Sequence, residues 1–209
     1  MSGSDTRALS RSLLDLCRMR KLTIATAESC TGGLVAAALT DIPGSSDVID
    51  RGFVTYSNDA KRAMLGVNAS TLESFGAVSK ETATAMAVGA LERAGTDLAV
   101  SITGIAGPGG ATTGKPVGLV HFAAAARDGR MIHRECRFGA IGRSAVRQRS
   151  VVEALRMLME LARGPKPPAK PRRESASRLQ PRTKRVPLRR AGERRRTTRP
   201  RKPSPKKAD

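Results

Sequence analysis

Aromatic side chains are nearly missing from this 209-residue chain, which has no Trp, one Tyr and four Phe. Its core must therefore be built from Ala, Val, Leu and Ile. Cysteine is also scarce. Cys17, Cys30 and Cys136 lie far apart and are odd in number, which excludes a disulfide framework and favours a reducing compartment. No run of 18 apolar residues exists, so no membrane span is expected. Residues 1–21 are amphipathic and charged throughout, without the apolar centre of a signal peptide. The expected location is the cytoplasm. Only two histidines are present, His121 and His133, and the cysteines lack ligand spacing. Both histidines read as packing or surface residues, and neither a metal nor a cofactor is expected.

Acidic residues are few, 18 against 38 Lys and Arg, giving a net charge of +20. The imbalance is concentrated at one end. Residues 164–209 hold 18 of the basic residues, 3 of the acidic ones and nine of the 12 prolines. This divides the chain into a globular domain, residues 1–163, and a Pro/Arg/Lys-rich tail, residues 164–209. The tail has too few apolar residues to offset chain entropy and is expected to be disordered. Its clusters Arg172-Arg173, Arg189-Arg190 and Arg194-Arg195-Arg196 suit non-specific, salt-dependent binding of nucleic acid or another polyanion. It has no aromatic ring on which to stack bases.

Within the globular part, Leu9, Leu13, Leu16 and Cys17 recur at helical spacing and predict a helix over 5–20. Residues 22–27 read as a short buried strand and 32–42 as a helix, joined by the polar turn Glu28-Ser29-Cys30-Thr31. A loop over 41–50 contains Pro43 and Gly44. A strand over 52–56 leads into a short helix through Lys61 that ends near Gly66. Ser79 is a predicted N-cap for a helix to Ala94, stopped by Gly95. A strand over 97–103 runs into a glycine-rich loop. Two further strands, 117–125 and 131–138, flank a hairpin turn at 127–130, and a last helix covers 143–162. Strands interleaved with helices indicate an α/β layered domain.

Three places hold candidate chemistry. In the turn from Thr26 to Gly33, Glu28, Ser29, Cys30 and Thr31 precede a helix opened by Gly32 and Gly33. Unpaired N–H groups there favour anions and offer oxyanion donors to a nucleophile. Plain capping by Ser or Thr is the common alternative for such a turn. The loop after Thr103, with Gly104, Gly107, Gly109 and Gly110, lets a ligand approach the backbone. It fits neither a Walker A loop nor a dinucleotide fingerprint. Lys61 serves as a general base if burial lowers its pKa, although a lysine in such a helix is usually solvated. Tyr56, at a strand end, reads on its own as a partly buried core residue.

Taken together, TAESCTGG, RGFVTYSNDAK, LGV, GAVS, SITGIAGPGG and KPVGLV, in this order, closely resemble the nicotinamide-nucleotide amidohydrolases, equivalent to the C-terminal domain of the competence/damage-inducible protein CinA. The resemblance spans residues 9–161. It implies a three-layer α/β/α sandwich and metal-independent hydrolysis of the carboxamide of nicotinamide mononucleotide to nicotinate mononucleotide and ammonia. It also implies a Ser-Lys mechanism, with Ser29 as nucleophile, Lys61 as base and Tyr56 assisting. Thr103 and Arg143 are implied as substrate or transition-state contacts. The expected partner is a small nucleotide, and self-association into a homo-oligomer suits the family.

The chain departs from the family pattern ahead of the last helix. Where relatives read glycine, an acid, then arginine, it has Gly139-Ala140-Ile141-Gly142-Arg143, so the register admits either Arg143 or Arg147 to the site. Two rival readings stand beside the main one. In the first, Cys30 replaces Ser29 as nucleophile. In the second, the globular part has lost catalysis and the protein binds nucleic acid through its tail.

Overall fold

The computed structural model describes residues 3–165. Beyond residue 165, the expected disordered tail lies outside the described residues. The chain builds a five-stranded sheet in the order β2-β1-β3-β4-β5. The strands are β1 (Ile24–Glu28), β2 (Ile49–Val54), β3 (Leu98–Gly104), β4 (Leu119–Ala126) and β5 (Met131–Arg137). β1 is parallel to both β2 and β3, whereas β4 runs antiparallel to β3 and to β5.

Helices α1 (Gly3–Arg20), α2 (Leu34–Thr40) and α6 (Arg143–Arg163) cover one face. Helices α3 (Asn58–Leu65), α4 (Ala69–Phe75) and α5 (Lys80–Ala94) lie on the other. This is the expected three-layer α/β/α arrangement, and strand alternation explains it residue by residue. Leu98, Val100 and Ile102 of β3 and Val120, Phe122 and Ala124 of β4 enter the core shared with α1, α2 and α6. Their neighbours Ala99, Ala123 and Ala125 meet the opposite layer, where α5 contributes Ala83, Ala87 and Ala90. Small side chains on both sides bring α5 close to the sheet. Gly89 does the same between helices, since a Cβ there would stand 2.0 Å from Leu65 O at the end of α3.

Local signals set the helix ends. Ser79 Oγ accepts from Thr82 N–H at 3.1 Å, and Gly95 closes α5 in the left-handed conformation, both as the sequence predicts. Ser57 caps α3 by accepting from Ala60 N–H, and Gly66 ends it. Two elements differ from expectation. α4 carries no sequence prediction, having seven residues and one buried apolar side chain, Leu72. β2 begins at Ile49 rather than Gly52, because Ile49 pairs with Ile24 at the start of β1. Its end moves back accordingly, leaving Tyr56 outside the strand. No helix among the described residues is long and apolar enough to cross a membrane.

Candidate active site

The parallel strands β1, β2 and β3 point the same way, so the segments that follow them gather at one edge of the sheet. Hydrogen bonds carry the ladder one step past β1: Thr55 N–H donates to Glu28 O at 2.8 Å, and Ser29 N–H to Ile102 O at 2.9 Å. The alternation of β1 then separates two adjacent side chains. Glu28 faces the α2 layer and Ser29 the α3 layer.

Ser29 meets Lys61 there. Lys61 Nζ lies 3.2 Å from Ser29 Oγ and donates to Thr55 O at 2.9 Å. The two residues stand 32 positions apart in sequence. Lys61 is only 1% exposed and Ser29 9%. Burial lowers the pKa of Lys61 from its ordinary 10.5. The usual solvated fate of such a lysine is therefore overturned: the first turn of α3, capped by Ser57, drives it beneath the turn after β1.

Glu28 is engaged within the fold. Its carboxylate is fully buried and accepts from the N–H groups of Gly33, Val35 and Ala36 at 2.9, 3.1 and 2.9 Å. It caps α2 from the preceding strand, so the start of α2 is already occupied by a protein carboxylate. The Glu28 carboxylate and the N–H of Gly33 thus satisfy each other within the fold. Gly32 N–H closes the turn onto Ser29 O at 3.0 Å. The N–H groups of Cys30 and Thr31 follow Ser29 directly in the same turn. A signal for the cap was present in the sequence: an acid shortly before a helix that opens on Gly-Gly, with no Ser, Thr, Asp or Asn at the cap itself.

Cys30 is buried, and burial pushes its thiol up to about 11, against smaller effects that include the nearby charges of Arg143 and Arg147. A buried neutral thiol is a poor nucleophile. Thr31 is fully buried and its hydroxyl has no hydrogen-bond partner among the described residues.

Tyr56 is 60% exposed rather than part of the core. Its hydroxyl accepts from Arg143 Nη2 at 2.8 Å, while Arg143 Nη1 donates to Gly107 O at 3.1 Å. Arg143 thereby joins the tyrosine to the glycine loop. Arg147, one turn further along α6, donates from Nη2 to Thr31 O at 2.8 Å. The ambiguity of register resolves into two arginines facing two different loops. Neither pairs with a carboxylate among the described residues.

The remaining candidates divide. Thr103 Oγ1 donates to Ala77 O at 2.6 Å and is buried, so its hydroxyl is engaged within the fold. Gly104 is required by β4, since a Cβ would lie 2.7 Å from Leu119 O. This corrects its reading as a place of ligand approach. Gly109 has open space around its missing Cβ, and Gly109 and Gly110 are exposed. His121 Nδ1 and His133 Nε2 stand 3.2 Å apart on adjacent strands, next to Glu135. Among the described residues no group of three or more His, Cys, Asp or Glu side chains is placed to hold a metal ion. Sequence reasoning missed Thr55, whose contribution is a backbone carbonyl and therefore leaves no mark in side-chain chemistry.

Comparison with known proteins gives one consistent picture. Residues 6–162 match the model of the CinA C-terminal domain. The chain is 55% identical over 129 residues to the nicotinamide-nucleotide amidohydrolase PncC of Enterobacter agglomerans, covering 62% of this chain and 78% of that protein. It is 49% identical over 161 residues to the protein of the same name from Escherichia coli strain K12, covering 77% of this chain and 96% of that one. The crystal structure of the competence/damage inducible protein CihA from Agrobacterium tumefaciens superposes with a TM-score of 0.74 at 56% identity, over 75% of this chain and 95% of that chain.

Proposed function

Since the chain belongs to the CinA C-terminal domain family, we propose that it hydrolyses the carboxamide of nicotinamide mononucleotide to nicotinate mononucleotide and ammonia, through Ser29 and Lys61. The Enterobacter agglomerans and Escherichia coli relatives carry the same reaction class in their name. The observation that carries the mechanism is the 3.2 Å approach of Lys61 Nζ to Ser29 Oγ at a buried position.

A neutral amine has two N–H donors and one lone pair. Thr55 O takes one donor, and rotation about the Cε–Nζ bond lets either the second N–H or the lone pair of Lys61 face the Ser29 hydroxyl. As Ser29 Oγ attacks the carboxamide carbon, its proton passes to Lys61. The carbonyl oxygen becomes an oxyanion facing the N–H groups of Cys30 and Thr31. Lys61 then returns the proton to the departing nitrogen, which leaves as ammonia. Water attacks the resulting acyl-Ser29 ester with Lys61 again as base, releasing the carboxylate and restoring the hydroxyl. The test is ammonia release from nicotinamide mononucleotide by purified protein without added metal. Lys61→Ala and Ser29→Ala serve as controls. Activity that survives in both controls overturns the mechanism.

The substrate phosphate fits the exposed Gly109–Gly110 stretch together with Arg143, whose planar guanidinium suits phosphate oxygens. Arg143→Ala is expected to weaken substrate binding by about tenfold or more, the range for a hydrogen bond to a charged group. Equilibrium binding to the Ser29→Ala background reads this directly. A fall in turnover with unchanged dissociation removes the phosphate role.

Cys30→Ala is expected to keep activity within about threefold of wild type, because the thiol is buried and protonated at neutral pH. Steady-state ammonia release decides between the two nucleophiles: an inactive Cys30→Ala beside an active Ser29→Ala makes Cys30 the attacking group.

A further inference from the structure

Helix α6 touches two of the site's loops through arginines four positions apart, which places them on one helix face. Arg143 reaches Tyr56 and Gly107. Arg147 reaches the nucleophile turn itself, through Thr31 O. Three features distinguish Arg147 from a surface arginine. It is half-buried and without a carboxylate partner among the described residues. Its Nε is buried and has no hydrogen-bond partner among them. Its Nη2 packs beside Gly32, where a Cβ would stand in ordinary contact at 3.5 Å.

The turn has hydrogen bonds of its own, Gly32 N–H to Ser29 O at 3.0 Å and Leu34 N–H to Thr31 O at 3.4 Å, and Arg147 adds one from outside it. Gly32 and Gly33 both adopt positive φ, at 60° and 96°. Consecutive glycines impose little steric restriction on the backbone. One end of this flexible pair is fixed by Glu28, which accepts Gly33 N–H. The other end is fixed where Arg147 grips Thr31 O, and pinning that carbonyl sets the plane of the Thr31–Gly32 peptide.

We infer that Arg147 is the positioning residue of the oxyanion-binding turn, holding the N–H groups of Cys30 and Thr31 in place beside Ser29 through its grip on Thr31 O. The inference rests on the amidase reading above. An oxyanion turn held in this way acts on the transition state and leaves ground-state binding of the nucleotide to Arg143 and the glycine loop.

The experiment measures kcat and KM for nicotinamide mononucleotide in the full-length wild type, Ser29→Ala, Arg147→Met and Arg147→Lys. Arg147→Met is expected to lower kcat by about 10²-fold, the scale for misplacing a catalytic group by about 1 Å, with KM within about threefold. Arg147→Lys, which keeps the charge and one donor within reach of Thr31 O, is expected to recover about tenfold of that loss. Wild-type kcat in Arg147→Met overturns the assignment. A raised KM at unchanged kcat also overturns it and makes Arg147 a substrate contact instead. Should Arg147→Met fail to fold, Arg147→Lys carries the same split: lowered kcat at constant KM supports the role, and unchanged kcat refutes it. A wild type that releases no ammonia defeats the amidase reading and this inference with it. Ammonia from wild type but not from Ser29→Ala, beside an unimpaired Arg147→Met, defeats the Arg147 role alone.

Discussion

Ser29→Ala and Lys61→Met are each expected to reduce ammonia release by about 10³-fold or more, as removal of a nucleophile or its base does in enzymes where the two act as a unit. The double variant is expected to be little worse than either single one, because neither group has a task without the other. The pH dependence follows from the burial of Lys61. Its pKa is held below 10.5 chiefly by desolvation, and only the neutral amine accepts the Ser29 proton. The kcat/KM of wild type therefore rises as pH climbs through the Lys61 ionisation and levels off above it. Stability obeys the same linkage. Between the folded-state value and 10.5 the unfolded chain binds a proton that the folded chain does not. Wild-type stability thus rises with pH across that window, and the penalty for burying the amine is fully felt below it. Lys61→Met abolishes this contribution. Urea unfolding of both proteins at several pH values between about 7 and 10 should show the variant-minus-wild-type difference falling as pH rises. A difference that grows with pH, or a wild type whose kcat/KM falls across that range, contradicts a buried neutral lysine.

The largest expected loss of stability belongs to Glu28, whose carboxylate is fully buried at the start of α2. Its carboxylate receives three backbone N–H groups at the start of α2. Glu28→Ala leaves all three without an acceptor in a buried region and opens a cavity beneath the helix. The cost is about 3–5 kcal/mol, the range for breaking a buried, hydrogen-bonded charge. For a domain of this size that lowers Tm by about 10 °C. Glu28→Gln keeps the shape and one acceptor oxygen but turns an amide N–H₂ toward backbone donors, so its effect should fall between wild type and Glu28→Ala. Because Ser29 is the next residue, activity should fall with stability in both variants. Thermal unfolding measures the first effect and ammonia release well below Tm the second. A Glu28→Ala protein with wild-type Tm would mean that α2 is held by packing alone.

Several elements were legible because their signals are local. Ser79 as N-cap, Gly95 as helix stop, the helix beginning at Arg143 and the hairpin between β4 and β5 each depend on residues within a few positions of one another. α4 escaped notice because seven residues with a single buried side chain carry no period. Tyr56 was misplaced because the pairing of Ile24 with Ile49 shifts β2 toward its N-terminus, a fact about two segments 25 positions apart. Gly104 was read as a ligand site when its small size serves the approach of β4, which sequence inspection does not show.

By itself the chain determined its layered α/β class, the order of its strands and of every helix but α4, and the candidate groups Ser29 and Lys61. Tertiary structure alone decided that those two meet, that Glu28 turns away to cap α2, and that Arg143 and Arg147 serve different loops. The physical reason is the parallel pairing of β1 with β2 and β3. Aligned strands bring their C-terminal ends to one edge, and alternation along β1 sends neighbouring side chains to opposite layers. Which layer waits on each side is a property of the assembled sheet, to which no short stretch of residues has access.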